Sequence, residues 1–418
     1  MGAYRFDDGR VVSIRRSQDE TLRCRGFDTG ASRRLYRDGN NRYVSAPGFA
    51  TKAPVDLVVD FHVEPDGRAT HLTWRPQEGP IETARRVGVE VWTTFESDGT
   101  LLSGRLDLPE GSGPHPAIVL VHGSGDHAAT EYFYNGDFFV AHGIATFTYD
   151  KRGTGRSQGE YTFDFQQLAR DVVAAVRFLR ARPEIDAEQI GLSGYSQGAW
   201  VAPLAASLDE SVRFVLVSYG MIESPAEEAR LETRNLMRER GVDEESLTEV
   251  DELTRAAVHV VATGFSEGWD DLAAAKKKYE DAEWRRHLAG TTVEKFVKYP
   301  KWLLKWLGPG RSPKALPWYY DSTEVLEDLS IPMVWFLGEA DESAPNELTL
   351  PKLRRWSGQG KPYELVLFPG ADHGMLLFEE VDGRRVYTGY VPTYFAMEVA
   401  RARALLGLHE RSSSAASR

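Results

Sequence analysis

The chain has 418 residues, 42% hydrophobic and 27% charged, with a formal net charge of -12, the make-up of a globular protein with room for more than one core. The negative charge argues against nucleic acid or an anionic membrane as partner, and the single cysteine, Cys24, excludes an intramolecular disulfide. The first residues, MGAYRFDDGR, lack the apolar stretch of a secretory signal, and Phe6 stands where a myristoylation pattern needs Ser or Thr. No apolar run reaches the length of a membrane span, so the expected location is the cytoplasm.

Residues 1–88 read as an all-β domain, an antiparallel barrel or sandwich. Asp-Gly turn signals at Asp8-Gly9, Asp38-Gly39 and Asp66-Gly67 separate alternating runs such as VDLVVDFHV and THLTWR. The pattern changes over residues 89–222. A hairpin is expected around Asp98-Gly99, followed by the apolar runs AIVLVHG, IATFTYD, QIGLSGY and VRFVLVS. Unbroken apolar runs are what strands covered on both faces require. Phe165, Leu168, Val172, Val176 and Leu179 recur at helical spacing between two of them. Strand and helix alternating in this way predict an α/β fold with a parallel sheet and helices on both faces. Residues 223–320 are charged, helical and without a strand signal, and they read as a helical cap inserted over the ends of the sheet strands. They hold five tryptophans, Trp269, Trp284, Trp302, Trp306 and Trp318. The sheet resumes over 321–410 with IPMVWFLG and YELVLFPG, and 411–418 read as a disordered tail.

The chemistry-bearing stretch is GLSGYSQGAW, residues 191–200. Ser196 lies between a strand run and a helix run, with Gly194 and Gly198 two places either side. A nucleophile on a sharp strand-to-helix turn needs small neighbours at those two places, where side chains would meet the adjoining strand and helix. Ser193 is a poorer candidate, because Tyr195 takes the place of its second glycine. A serine needs a base and an acid to orient that base. His373, in the GADHG loop after YELVLFP, is the candidate base. The loop GEADESAP offers Glu339, Asp341 and Glu342 as the acid; Asp341 is favoured, with Asp372 as rival. VHGSGDH after the first buried strand supplies the Ser124 N–H for an oxyanion, and the Gln197 N–H is the second expected donor. A metal site at His122, Asp126 and His127 is rejected, because Ser124 stands where the middle histidine belongs.

HGSG at 122–125, DKRGTGRS at 150–157, GYSQG at 194–198, GEAD at 338–341 and DHG at 372–374 together resemble the α/β-hydrolase superfamily, in particular two-domain bacterial serine esterases with an N-terminal β-domain and a helical cap. The motifs stand in the family's order across residues 116–375. The resemblance implies an α/β-hydrolase sheet, Ser196 as nucleophile, Asp341 as acid, His373 as base, Ser124 and Gln197 as oxyanion donors, and no cofactor or metal. It assigns no catalytic side chain to DKRGTGRS. The expected activity is hydrolysis of short- to medium-chain or aryl carboxylic esters, with a small-molecule ester as substrate, no nucleic acid or membrane as partner, and an oligomer left open. Trp302, Trp306 and Trp318 are expected to wall an apolar acyl pocket. The same residues would also serve a serine peptidase or thioesterase, or stand as the relic of a triad in a binding protein.

Overall fold

The computed structural model describes residues 1–17, 20–291, 293–309 and 315–408; the expected tail at 411–418 lies outside them. The N-terminal strands are β1 (Gly2–Phe6), β2 (Val11–Arg16), β3 (Leu22–Gly26), β4 (Ser32–Arg37), β5 (Arg42–Ser45), β6 (Leu57–Val63), β7 (Ala69–Pro76) and β8 (Glu82–Val87). Each pairs antiparallel with the next, and β1 pairs with β8, so the unit is a closed barrel. All three Asp-Gly pairs fall between paired strands. Alternation turns Tyr4, Ile14, Val59, Leu72 and Ala84 into the barrel's own core, and closure leaves no exposed sheet edge.

The second sheet contains β9 (Val89–Ser97), β10 (Thr100–Leu108), β11 (His115–Val121), β12 (Ala145–Tyr149), β13 (Ile185–Tyr195), β14 (Val215–Ser218), β15 (Met333–Gly338) and β16 (Tyr363–Phe368). Their order is β16-β15-β14-β13-β11-β12-β10-β9. The β9–β10 hairpin joins antiparallel at one edge, and the strands from β12 across to β16 are parallel. Successive residues of the apolar runs feed opposite faces. Ala117, Val119 and Val121 join helices Phe165–Arg180 and Gly198–Leu208 on one side. Ile118 and Leu120 join helices Asn135–Ala141 and Tyr394–Leu405 on the other. All five predicted apolar positions of Phe165–Arg180 are buried, and Asp164 caps its first turn by accepting from Gln166 N at 2.9 Å. The chain leaves β11 for β12 on one side and returns to β13 on the other. Such a reversal opens a crevice at the carboxyl ends of the strands.

Ahead of helix Thr323–Asp328 and β15, the described residues over 225–307 form helices Pro225–Glu239, Glu244–Ala262, Trp269–Lys278, Glu294–Lys298 and Lys301–Leu307 and a 3-10 turn, Glu283–His287. They enclose their own apolar cluster, in which Trp269 and Trp284 are buried with Leu247, Leu253, Phe265 and Phe296. A feature the sequence reading did not place follows His373: the antiparallel hairpin β17 (Leu376–Val381) and β18 (Arg384–Tyr390). Among the described residues no helix is long and apolar enough to cross a membrane.

Candidate active site

Ser196 sits with Gln197 between the end of β13 and helix Gly198–Leu208, at φ 53, a left-handed backbone that a side chain rarely adopts. The neighbouring chain holds it there: its N–H donates to Ser218 O at 3.1 Å, and its carbonyl accepts from Ala199 N at 2.7 Å. The turn is too tight for side chains at the flanking glycines. A Cβ on Gly194 would lie 2.3 Å from the Gly198 carbonyl oxygen, and one on Gly198 would lie 2.2 Å from the Val121 oxygen. Ser193 is buried behind the turn and donates to Glu398 at 3.2 Å.

His373 opens a short turn after β16, with its N–H held by the Asp372 carboxylate at 2.7 Å. Its Nε2 lies 3.1 Å from Ser196 Oγ, and its Nδ1 lies 3.0 Å and 3.2 Å from the two Asp341 oxygens. An ionised carboxylate only accepts, so Nδ1 carries the proton and Nε2 is left to accept from the hydroxyl. Tyr219 packs edge-on against the ring at 5.1 Å. Burial pulls the His373 pKa down, but the Asp341 carboxylate, assisted by Glu228 and Asp372, more than offsets this and leaves it raised above 6.5.

The ring therefore meets Asp341 and not the rival carboxylates. Asp372 points instead to Arg385 at 2.9 Å and Tyr387 at 3.1 Å, and Glu342 pairs with Arg385. Arg385 also donates to Ala340 O at 2.7 Å, so one guanidinium on β18 ties the Asp341 loop to the His373 loop. Sequence reasoning missed Arg385, and it missed Glu228. Glu228 stands on helix Pro225–Glu239 close enough to bias His373, and burial pushes its own carboxyl up to about 8.

The residues flanking the expected oxyanion donors come close to Ser196 at Gly123. A Cβ placed on Gly123 would be 3.2 Å from Ser196 Cβ and 3.7 Å from its Oγ. Among the described residues neither the Ser124 N–H nor the Gln197 N–H donates a hydrogen bond, so both remain free for a ligand. Lys151, from the DKRGTGRS stretch, is buried beneath them and donates to Gly123 O and to Gln197 Oε1, each at 2.6 Å.

The tryptophan pocket is corrected. Trp302 and Trp306 are 69% and 75% exposed, because helix Lys301–Leu307 turns Leu304 inward onto the helical segment's apolar cluster and the two indoles outward. Trp318 lines an apolar cavity of about 700 Å³ with Val261, Phe265, Phe296 and Leu304, and none of Ser196, Asp341 or His373 borders it. As for the rejected metal run, His122 is buried whereas Asp126 and His127 are exposed. Among the described residues no group of three or more His, Cys, Asp or Glu could hold a metal ion.

A mostly parallel sheet with Ser196 on a sharp turn after β13, Asp341 in the loop after β15 and His373 in the loop after β16 defines an α/β-hydrolase architecture. Residues 118–387 match the Alpha/beta hydrolase family, and the chain belongs to that family. It is 36% identical over 129 residues to the thiohydrolase aneE of Aspergillus aculeatus, a stretch covering 30% of this chain and 40% of that protein. It is 29% identical over 125 residues to the esterase EstD of Thermotoga maritima, covering 28% of this chain and 30% of that protein. The chain thus spans less than half the length of these curated relatives. The solved structure of the esterase Pf2001 of Pyrococcus furiosus superposes with a TM-score of 0.44 at 14% identity, covering 77% of this chain and 92% of that one.

Proposed function

We propose that this hydrolase is a serine carboxylic ester hydrolase, acting on short- to medium-chain or aryl esters through an acyl-serine intermediate. The observation that carries the reading is the unbroken relay from Asp341 through His373 to Ser196 Oγ. His373 Nε2 takes the Ser196 proton as Oγ attacks the acyl carbon. The resulting oxyanion is met by the Ser124 and Gln197 N–H groups. The imidazolium, steadied by Asp341, then returns the proton to the leaving alcohol. Water repeats both steps, and the free acid leaves. The helical segment is the proposed cap: Glu228 brings helix Pro225–Glu239 near His373, and Glu239 at the end of that helix pairs with Arg385 at 3.5 Å.

The leaving atom is not set by a triad and two N–H donors. A thioester reading has a specific support in the likeness to a thiohydrolase. The deciding experiment labels the protein with a fluorophosphonate and follows turnover of nitrophenyl esters, from acetate to palmitate, beside matched thioesters and an aminoacyl arylamide. Labelling and ester turnover are expected in wild type and absent in Ser196→Ala and His373→Ala. Preferred cleavage of the thioester or of the arylamide would replace the esterase reading, and an unlabelled wild type would make the relay a relic.

A further inference from the structure

Lys151 touches both sides of the oxyanion site. It follows β12 directly and is only 2% exposed. Its Nζ donates to Gly123 O, 28 residues away in sequence, and to Gln197 Oε1, 46 residues away. The first of these acceptors belongs to the peptide whose other end is the Ser124 N–H. A trans peptide points its C=O and N–H in opposite directions. Gripping the carbonyl from below therefore fixes where the N–H points, and a cation on the oxygen makes that N–H a stronger donor. The second acceptor is the side chain of the residue whose own N–H is the other donor.

We propose that the Lys151 ammonium is the positioning group of the oxyanion site, holding the Ser124 and Gln197 N–H groups on one point and polarising the first of them. This rests on the reading of Ser196 as an acyl-forming nucleophile. Lys151 does not touch the reacting atoms; it acts through two backbone donors. A cation buried without a counter-ion is expensive, and a packing role alone would be met by methionine. Burial alone pulls the Lys151 pKa down, to about 7. The titratable group beside it is His122, which burial and the lysine's own charge hold far below the ordinary imidazole value and hence neutral. The neighbouring Asp150 is turned away, accepting from Thr130 and the Arg156 N–H. As pH rises past neutrality the ammonium becomes an amine. It can still donate twice, but without the charge that polarises the peptide.

The test is steady-state kinetics of Lys151→Met against wild type on nitrophenyl butyrate from pH about 6 to 9, with fluorophosphonate labelling and thermal melting as controls. In Lys151→Met, kcat is expected to fall about 10- to 100-fold, below the full loss of an oxyanion donor, while KM moves little. Wild-type kcat should decline on the alkaline side, and Lys151→Met should lack that decline. Wild-type kcat in a folded Lys151→Met, or a change in KM alone, overturns the proposal. Should Lys151→Met not fold, Gln197→Met removes one of the two contacts and is expected to lower kcat at constant KM. Wild-type kcat in Gln197→Met together with a flat wild-type alkaline profile then overturns it. An unlabelled wild-type Ser196 would instead strike the serine-hydrolase reading beneath it.

Discussion

The His373 imidazole is pulled two ways. Burial disfavours its cation, and the carboxylate 3.0 Å from Nδ1 favours it. The carboxylate wins, so the ring holds its proton above the ordinary value of 6.5. Only the neutral ring can take the Ser196 proton, so kcat/KM should rise with pH through a midpoint above 6.5. Asp341→Asn removes the favouring charge and leaves the burial. Its midpoint should therefore move to lower pH, since a lowered pKa means that the proton leaves earlier. The amide can also donate to Nδ1 and select the wrong tautomer, which in triads costs on the order of 10⁴ in kcat. The pH profile of kcat/KM for both proteins, with nitrophenyl butyrate, is the check. An Asp341→Asn limb at the wild-type position would mean that another carboxylate sets the ring, with Asp372 next in line.

At the scale of elements, the site depends on how closely strand β13 and helix Gly198–Leu208 can turn on each other. A methyl on Gly194 would sit 2.3 Å from the Gly198 carbonyl oxygen, and backbone on backbone has no flexible end that can swing away. Gly194→Ala should therefore cost about 1–3 kcal/mol of stability and lower kcat further than that, because the relief must shift Ser196 relative to His373. Urea unfolding and turnover measured on the same preparation separate the two effects. This elbow was legible in the sequence because it is local: apolar strand run, glycine spacing and helix run fall within consecutive residues. The strands of the sheet were legible for the same reason, and His373 and Asp341 were legible as residues of the loops that directly follow two apolar strand runs. What joins distant segments was not. Lys151 lay in a stretch assigned no catalytic side chain, and its two acceptors are set only by the packing of β12 beside β11, whose other neighbour is β13. Arg385 lay in a hairpin that went unread, although Asp382-Gly383 carries the same turn signal as the barrel's hairpins. Trp302 and Trp306 were misplaced for a different reason: composition marked them as apolar, but the rotational phase of a short helix decided which way they face.

The whole molecule is held together where the barrel meets the sheet. Ala3, Val11, Phe27 and Val87 of the barrel belong to the same buried cluster as Phe138, Phe139 and Phe395 of the hydrolase core. Within that contact Arg15 on β2 is fully enclosed, donating to Asp137 at 2.6 Å and 2.9 Å and to Glu90 at 3.0 Å. Ser13 also donates to Asp137. Arg15→Met keeps the volume and removes the charge. Glu90 retains Arg86 at 3.1 Å, and the nearby Asp107 retains Arg105 at 2.9 Å, so the group left without a cation is Asp137. A buried carboxylate stripped of its partner costs about 3–5 kcal/mol, and here the cost falls on the contact between the two units. Arg15→Met should therefore lower the unfolding free energy measured in urea by that amount while leaving the distances around Ser196 untouched. Adding Asp137→Leu replaces the orphaned charge with apolar volume and should recover most of the loss, since an apolar pair of similar size often equals a buried ion pair. A silent Arg15→Met, or a double variant no more stable than the single, would show that the apolar cluster alone fastens the barrel to the sheet.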